Sequence, residues 1–376
     1  MLDLECLRLI WWVLFGVLFI GFAVTDGFDL GIAALLPFVA KNDLERRVVL
    51  NTIGPVWEGN QVWIILAAGA IFAAWPLVYA VAFSGLYFVI LLLLLTMGIS
   101  RPVSFKYRSK LKNPVWRFCW DAAVFIGGLV PALIFGLLVG NVLQGLPFRY
   151  DEQIRLSYEG GFWALFNPFA CWCALTSLFM LIMHGGIYLA LKTEALLANR
   201  ALRFSKGAAI LFMLFFAGGG LWAAYAIVGY EVTSVLSPEG YSNPLHKEVV
   251  KRLGAWLLNY SRYPFTLAAP VLGFLGAAAA MLSVQGKALK TAFLCSALSL
   301  FGVISTVGVS MFPFIIPSSL DPASSLLVWD ASSTQLTLFL MLIAALIFVP
   351  LIVLYTAWVY YVLRDKVTAK EIKENI

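Results

Sequence analysis

Three carboxylates stand where the hydrocarbon of a bilayer should be. Asp26 and Asp29 fall in Thr25-Asp26-Gly27-Phe28-Asp29-Leu30-Gly31, and Glu58 in Gly54-Pro55-Val56-Trp57-Glu58-Gly59-Asn60-Gln61-Val62-Trp63. Both stretches lie inside long apolar runs. A charge at the centre of a spanning helix costs roughly +2.5 to +3.5 kcal/mol and persists mainly where the protein uses it. Asp26 and Asp29 are three residues apart, so they share one helix face. The chemistry open to such a set is proton holding and transfer, in a wet polar pocket or wire that reaches toward the middle of the bilayer. The plainer reading is a hydrogen-bond cluster that locks two helices together.

The element that must position these side chains is a helical hairpin over residues 15–75. The basic link Lys41-Asn42-Asp43-Leu44-Glu45-Arg46-Arg47 is its turn. Two straight antiparallel arms folded near residue 43 or 44 predict Asp29 opposite Glu58 and Asp26 opposite Gln61. At 1.5 Å per residue these lie about 15–20 Å from the turn. Pro55 cannot donate to the helix ladder, which predicts a kink there. Gly27, Gly31, Gly54 and Gly59 permit close helix approach.

The composition sets the class. Of 376 residues, 62% are hydrophobic and only 12% charged, and the mean hydropathy is +0.90. A soluble domain carries about 25% charged residues. An all-α polytopic membrane protein is expected. The net charge of +6 invites a nucleic-acid reading, but the basic residues flank apolar spans instead. The first apolar run, 9–36, is too long for a cleavable leader, lacks a basic start and contains the two aspartates, so it reads as a retained span. Cys6, Cys119, Cys171, Cys173 and Cys295 fall mostly in or near spans and read as small packing residues.

Nine spans are predicted: 8–37, 50–75, 77–99, 118–143, 162–190, 207–229, 263–284, 292–312 and 334–362. They divide into a first helix bundle (8–143), a second (162–312) and a last, peripheral helix (334–362). Nineteen Lys and Arg fall in connections on one side and seven on the other, which accounts for all 26. The positive-inside rule then puts the N-terminus in the periplasm and the C-terminus in the cytoplasm. Trp11, Trp12, Trp75, Trp120, Trp163 and Trp358 read as interfacial belts, and Asp330 or Ser332 as the N-cap of the last span.

Other chemistry is poorly supplied. His246 reads as a solvated loop residue. His184, close to Met180 and Met183, is the one histidine inside a span. It can hold at most a single haem, and a hydrogen-bonded packing role is expected of it. Metalloprotease, nucleotide-binding and spaced Cys/His signatures are absent from the sequence. Two function classes remain on the residues alone. One is an accessory subunit of a membrane redox complex. The other is a proton-coupled membrane carrier using Asp26, Asp29 and Glu58. Carriers often show broken helices in matching halves, and only Gly54-Pro55 suggests a break here.

The order of motifs goes further. Leu7-Arg8-Leu9-Ile10-Trp11-Trp12, the Asp26/Asp29 and Trp57-to-Trp63 stretches, Phe72-Ala73-Ala74-Trp75-Pro76, Ala82-Phe83-Ser84-Gly85, Arg101-Pro102, Met311-Phe312-Pro313-Phe314 and the run from Trp329 to Leu338 follow one another. With these in sequence, the chain resembles subunit II of the bacterial cytochrome bd quinol oxidases, from about residue 3 to residue 374. The resemblance implies an inner-membrane heterodimer with a similar subunit I, which carries haem b558, haem b595, haem d and the quinol-oxidising loop. A small single-span subunit often joins. The complex oxidises ubiquinol or menaquinol, reduces oxygen to water and takes protons from the cytoplasm without pumping. By position, Glu58 matches an acid, often Asp, on a proton path toward haem d. Asp26 and Asp29 match the acids of the first span, and Trp63 resembles a Trp near a lateral oxygen entrance. Some members hold a structural quinone in subunit II, which makes Trp57, Asn60 and Arg101 candidates for its surroundings.

Overall fold

A backbone crossing hydrocarbon must satisfy its own hydrogen bonds, and the apolar runs here do so as helices. The computed structural model describes residues 2–374. The long helices are α1 (Leu4–Val39), a pair α2 (Asp43–Ile53) and α3 (Trp57–Ala74), the short α4 (Pro76–Gly85), then α5 (Tyr87–Leu93) and α6 (Arg101–Tyr107) joined by a π-helix (Leu94–Ser100). They continue with α7 (Pro114–Gln144), α8 (Pro168–Lys192), α9 (Ala195–Tyr225), the short α10 (Leu258–Arg262), α11 (Ala268–Gln285), α12 (Leu289–Met311), α13 (Gln335–Val362) and the terminal α14 (Ala369–Glu374). Among the described residues, eight helices are long and apolar enough to cross a membrane, or up to nine if the α2–α3 pair, bent by 49°, is one span.

The bend falls at the turn between α2 and α3, where Pro55 was expected to kink the helix. The predicted third span, 77–99, differs. It is divided at Gly85, where the ring of Tyr158 lies against the backbone, and the second piece runs on as one helical span, Tyr87–Tyr107. Residues 101–107 are therefore helix, not the loop that their charge suggested.

Helix α1 is the hub. It lies against α3, α7, α8 and α12, while α8–α9 and α11–α12 form close pairs. One apolar core runs through these helices, from Leu7 and Phe22 to Leu181 and Leu300. Small residues allow the tightest approach. At Gly31 an added Cβ would run into the Leu181 carbonyl and lie 3.2 Å from the Cα of Gly185 on α8. Gly31→Val should therefore force α1 and α8 apart. Overpacking of this kind costs about 1–3 kcal/mol or more, read as a lower thermal-unfolding midpoint in detergent and a lower yield.

The two ends of the helices are built differently. At the basic end, ion pairs tie the connections together. Asp43 meets Arg108 at 3.0 Å and Arg117 at 2.9 Å, Arg46 meets Asp121 at 2.7 Å, and Arg200 meets Glu45 at 2.7 Å. Lys192 Nζ donates to the Leu363 carbonyl, so the end of α13 belongs to this side. At the other end lie three two-stranded antiparallel ribbons, β1 (Phe148–Tyr150) with β2 (Leu156–Tyr158), β3 (Val228–Val232) with β4 (Val249–Leu253), and β5 (Phe314–Ile316) with β6 (Leu326–Leu327). Arg8, fully buried, donates there to Ser332 Oγ at 2.8 Å and to the Gly240 carbonyl at 3.0 Å.

Two expectations are corrected at this end. The N-cap of α13 is Thr334, not Asp330 or Ser332. Asp330 is engaged by Lys247 at 2.6 Å and Ser332 by Arg8, so neither is free to cap. Trp11 and Trp75 are not belt residues. Both are buried and donate their indole N–H inward, to the carbonyls of Leu338 and Val328. Trp163 and Trp358 are exposed, as a belt requires.

Candidate functional site

The buried polar centre joins α1, α3, α6 and α13. Asp26 Oδ1 accepts from Arg101 Nη2 at 2.7 Å. Asp29 Oδ2 accepts from Asn60 Nδ2 at 2.8 Å, and Asn60 Oδ1 in turn accepts from the Tyr360 hydroxyl at 2.5 Å. Asp26, Asp29 and Arg101 are 0% exposed and Asn60 is 1% exposed. Asp26 Oδ2, Asp29 Oδ1, and Arg101 Nε and Nη1 have no protein partner among the described residues. Buried polar atoms of this kind are the ones that water or a small polar group serves.

Local structure explains the arrangement. The three-residue spacing of Asp26 and Asp29 puts both on the inner face of α1. The π-helix before Arg101 shifts the face that the following residues present. Gly127 on α7 then lets Arg101 in, since a Cβ there would stand 2.8 Å from the Arg101 Cβ and 2.9 Å from the Thr96 carbonyl. Arg101 is thereby taken out of the basic loop and into the core, as the cation that a buried Asp26 requires. A cation at the edge of an apolar run, two residues beyond the predicted end of the third span, was a usable signal for the charge balance that a buried aspartate demands. Tyr360 left no such signal, because its neighbours read only as an apolar span.

The hairpin register is corrected. Asp29 faces Asn60, not Glu58, and Asp26 faces Arg101, not Gln61. Gln61 instead reaches the Met97 carbonyl, at 3.4 Å. Straight arms were the false assumption, because the break between α2 and α3 resets both depth and rotation. With Asn60 facing inward, a residue two positions earlier points about 200° away around the helix. Glu58 accordingly lies on the outer surface of this chain, its side chain 70% exposed and 3.9 Å from Lys106.

The remaining candidates are dispersed. Trp63 is buried, with its ring pressed on Gly21 and its indole nitrogen without a partner among the described residues. Trp57 begins α3 and lies against Phe105, with ring centroids 6.1 Å apart. Asn60 and Arg101 are committed to the two aspartates. His184 is fully buried. The Val24 carbonyl, 2.9 Å away, can only accept, so Nε2 donates to it, and Nδ1 meets Ser296 Oγ at 2.7 Å. With both nitrogens engaged and Phe293 stacked on the ring, His184 does not fit a haem ligand. Among the described residues no group of three or more His, Cys, Asp or Glu is placed to hold a metal ion.

Residues 7–363 match the family described as cytochrome bd terminal oxidase subunit II. The chain belongs to this family. It is 46% identical to the cytochrome bd-I ubiquinol oxidase subunit 2 of Escherichia coli strain K12, over 100% of this chain and 99% of that one. It is 47% identical to a probable cytochrome oxidase subunit 2 of Haemophilus influenzae, with the same coverage. The Bacillus subtilis cytochrome bd ubiquinol oxidase subunit 2 is 31% identical over 96% of this chain and 97% of that one. Among solved structures, a chain of the bd oxidase from Geobacillus thermodenitrificans superposes with a TM-score of 0.66 at 13% identity, covering 96% of this chain and 98% of that one. That likeness is one of fold. As a subunit II, the chain is a multi-pass protein of the bacterial inner membrane, and its intramembrane acids belong to a respiratory oxidase subunit.

Proposed function

We infer that this subunit II supports a haem-bearing subunit I in the oxidation of quinol and the reduction of oxygen to water, with protons drawn from the cytoplasm. The observation that carries the reading is the family match over residues 7–363, joined to a buried polar centre built from Asp26, Asp29, Asn60 and Arg101. Haem b558, haem b595 and haem d of the partner supply the redox chemistry. This chain contributes packing surface and proton-holding groups. The basic end, where the ion pairs gather, faces the cytoplasm, so the N-terminus is periplasmic and the C-terminus cytoplasmic. Segments 8–143 and 162–312 act as two helix bundles joined along α1, α7 and α8, with 334–362 laid beside them.

Glu58 and the aspartates take different parts. Glu58 points outward beside Lys106, so it hands protons across the subunit boundary rather than inward. Asp29 and Asp26 hold charge inside the subunit, with Arg101 as the fixed countercharge of Asp26. Trp63 borders the oxygen entrance. Trp57 is the one quinone candidate whose polar group is not committed to the aspartates, and a structural quinone would lie against Trp57 and Phe105. A small single-span subunit would cover exposed apolar helix surface. The carrier reading is disfavoured by family membership and by the single bent helix pair among the described residues.

The test is purification of the tagged chain in mild detergent with a reduced-minus-oxidised visible spectrum. Haem b and d bands with a co-purifying larger subunit are expected. A stable, colourless chain alone, from cells grown with limited oxygen, would overturn the reading.

A further inference from the structure

We propose that Tyr360 of the last span is a positioning residue for Asp29 and acts through Asn60. The three side chains form a line from α13 through α3 to α1, with contacts of 2.5 and 2.8 Å. A carboxamide has one acceptor oxygen and one donor nitrogen, and its partners set which of them faces which way. Here the phenol donates to Oδ1, which leaves Nδ2 for the Asp29 carboxylate. A hydroxyl is unusual in that it can serve either orientation. If Asp29 gains a proton, it becomes a donor, and the amide can turn its oxygen toward it. Tyr360 then accepts from Nδ2 instead of donating to Oδ1. The contact between Asp29 Oδ2 and Asn60 thus keeps one donor and one acceptor in both protonation states of Asp29, in a buried centre where an unmade hydrogen bond is costly.

The placement suits that task. Tyr360 lies two residues before the end of α13, on the side where Lys192 holds the Leu363 carbonyl. Its ring meets Phe28 edge-on, with centroids 6.3 Å apart, and Phe28 is stacked on Tyr188. Tyr360→Phe keeps these ring contacts and removes only the hydroxyl. A purely structural clip would not need a group that both donates and accepts.

This inference rests on the reading of Asp29 as a proton-holding group. The test uses the whole oxidase complex with Tyr360→Phe, Asn60→Leu, the double variant and Asp29→Asn. Tyr360→Phe should lower kcat for oxygen reduction about two- to tenfold, the scale of one hydrogen bond. KM for quinol and the haem spectrum should not change. In the Asn60→Leu background Tyr360→Phe should add nothing, because its route to Asp29 is already cut. Full turnover in Tyr360→Phe alongside a slow Asp29→Asn would overturn the proposal, as would additive losses in the double variant. If Asp29→Asn turns over at the parental rate, the proton-holding reading fails instead. The thermal unfolding of Tyr360→Phe, Asn60→Leu and the double variant then decides the positioning claim. Non-additive midpoints uphold the Tyr360–Asn60 coupling, and additive ones remove it.

Discussion

Arg101→Met should cripple the assembly of this subunit. Arg101 and Asp26 are both fully buried, 2.7 Å apart. Removing one partner of such a pair leaves a bare charge in the core and typically costs about 3–5 kcal/mol. Native proteins have about 5–15 kcal/mol to lose, so the expected result is a marked drop in the unfolding midpoint and a small yield of intact complex. The double variant Asp26→Leu/Arg101→Met removes both charges at once. Replacing a buried pair by apolar residues is often neutral, so it should recover most of the lost stability. Thermal melts of the three proteins separate the cases. If the double variant is as unstable as the single one, the pair is held in place by something other than its own charge balance. If it is stable yet slow in oxygen reduction, the pair serves function rather than folding.

Glu58→Gln should give the opposite pattern, with a normal fold and poor turnover. Its side chain is 70% exposed on this chain, and its nearest charge, Lys106 at 3.9 Å, is as exposed. An exposed pair of that kind adds little to stability, so the melt and the haem content should stay at parental values. Proton transfer by a positioned carboxyl contributes typically about 10²–10⁴-fold, and an amide cannot perform it. Oxygen consumption with a quinol substrate should therefore fall steeply while the visible spectrum is unchanged. Normal turnover in an assembled complex would show that protons do not pass Glu58. Loss of haem would show that Glu58 holds the subunit boundary together.

The two results would separate groups that the primary structure joins. In sequence, Asp26, Asp29 and Glu58 form one acidic hairpin. In space, the aspartates turn inward to Arg101 and Asn60, while Glu58 turns outward. The reason is local. Glu58 and Asn60 are two residues apart on one helix, so they cannot share a face.

By itself the sequence determined the class of the protein, its approximate spans, the burial of Asp26 and Asp29, and the family. These rest on properties that act along the chain. Apolar runs of spanning length must be helical in hydrocarbon, an i,i+3 pair shares a face wherever the helix lies, and motif order survives without coordinates. Tertiary structure alone decided which groups meet. Arg101 counted as a loop cation until the π-helix and Gly127 carried it to Asp26. Trp11 and Trp75 matched an interface belt until neighbouring carbonyls claimed them. Tyr360 lies 300 residues from Asn60 in sequence. Depth along a helix can be counted from residue numbers, but rotation about its axis is set by breaks and by the neighbours it packs on, and rotation selects the partner.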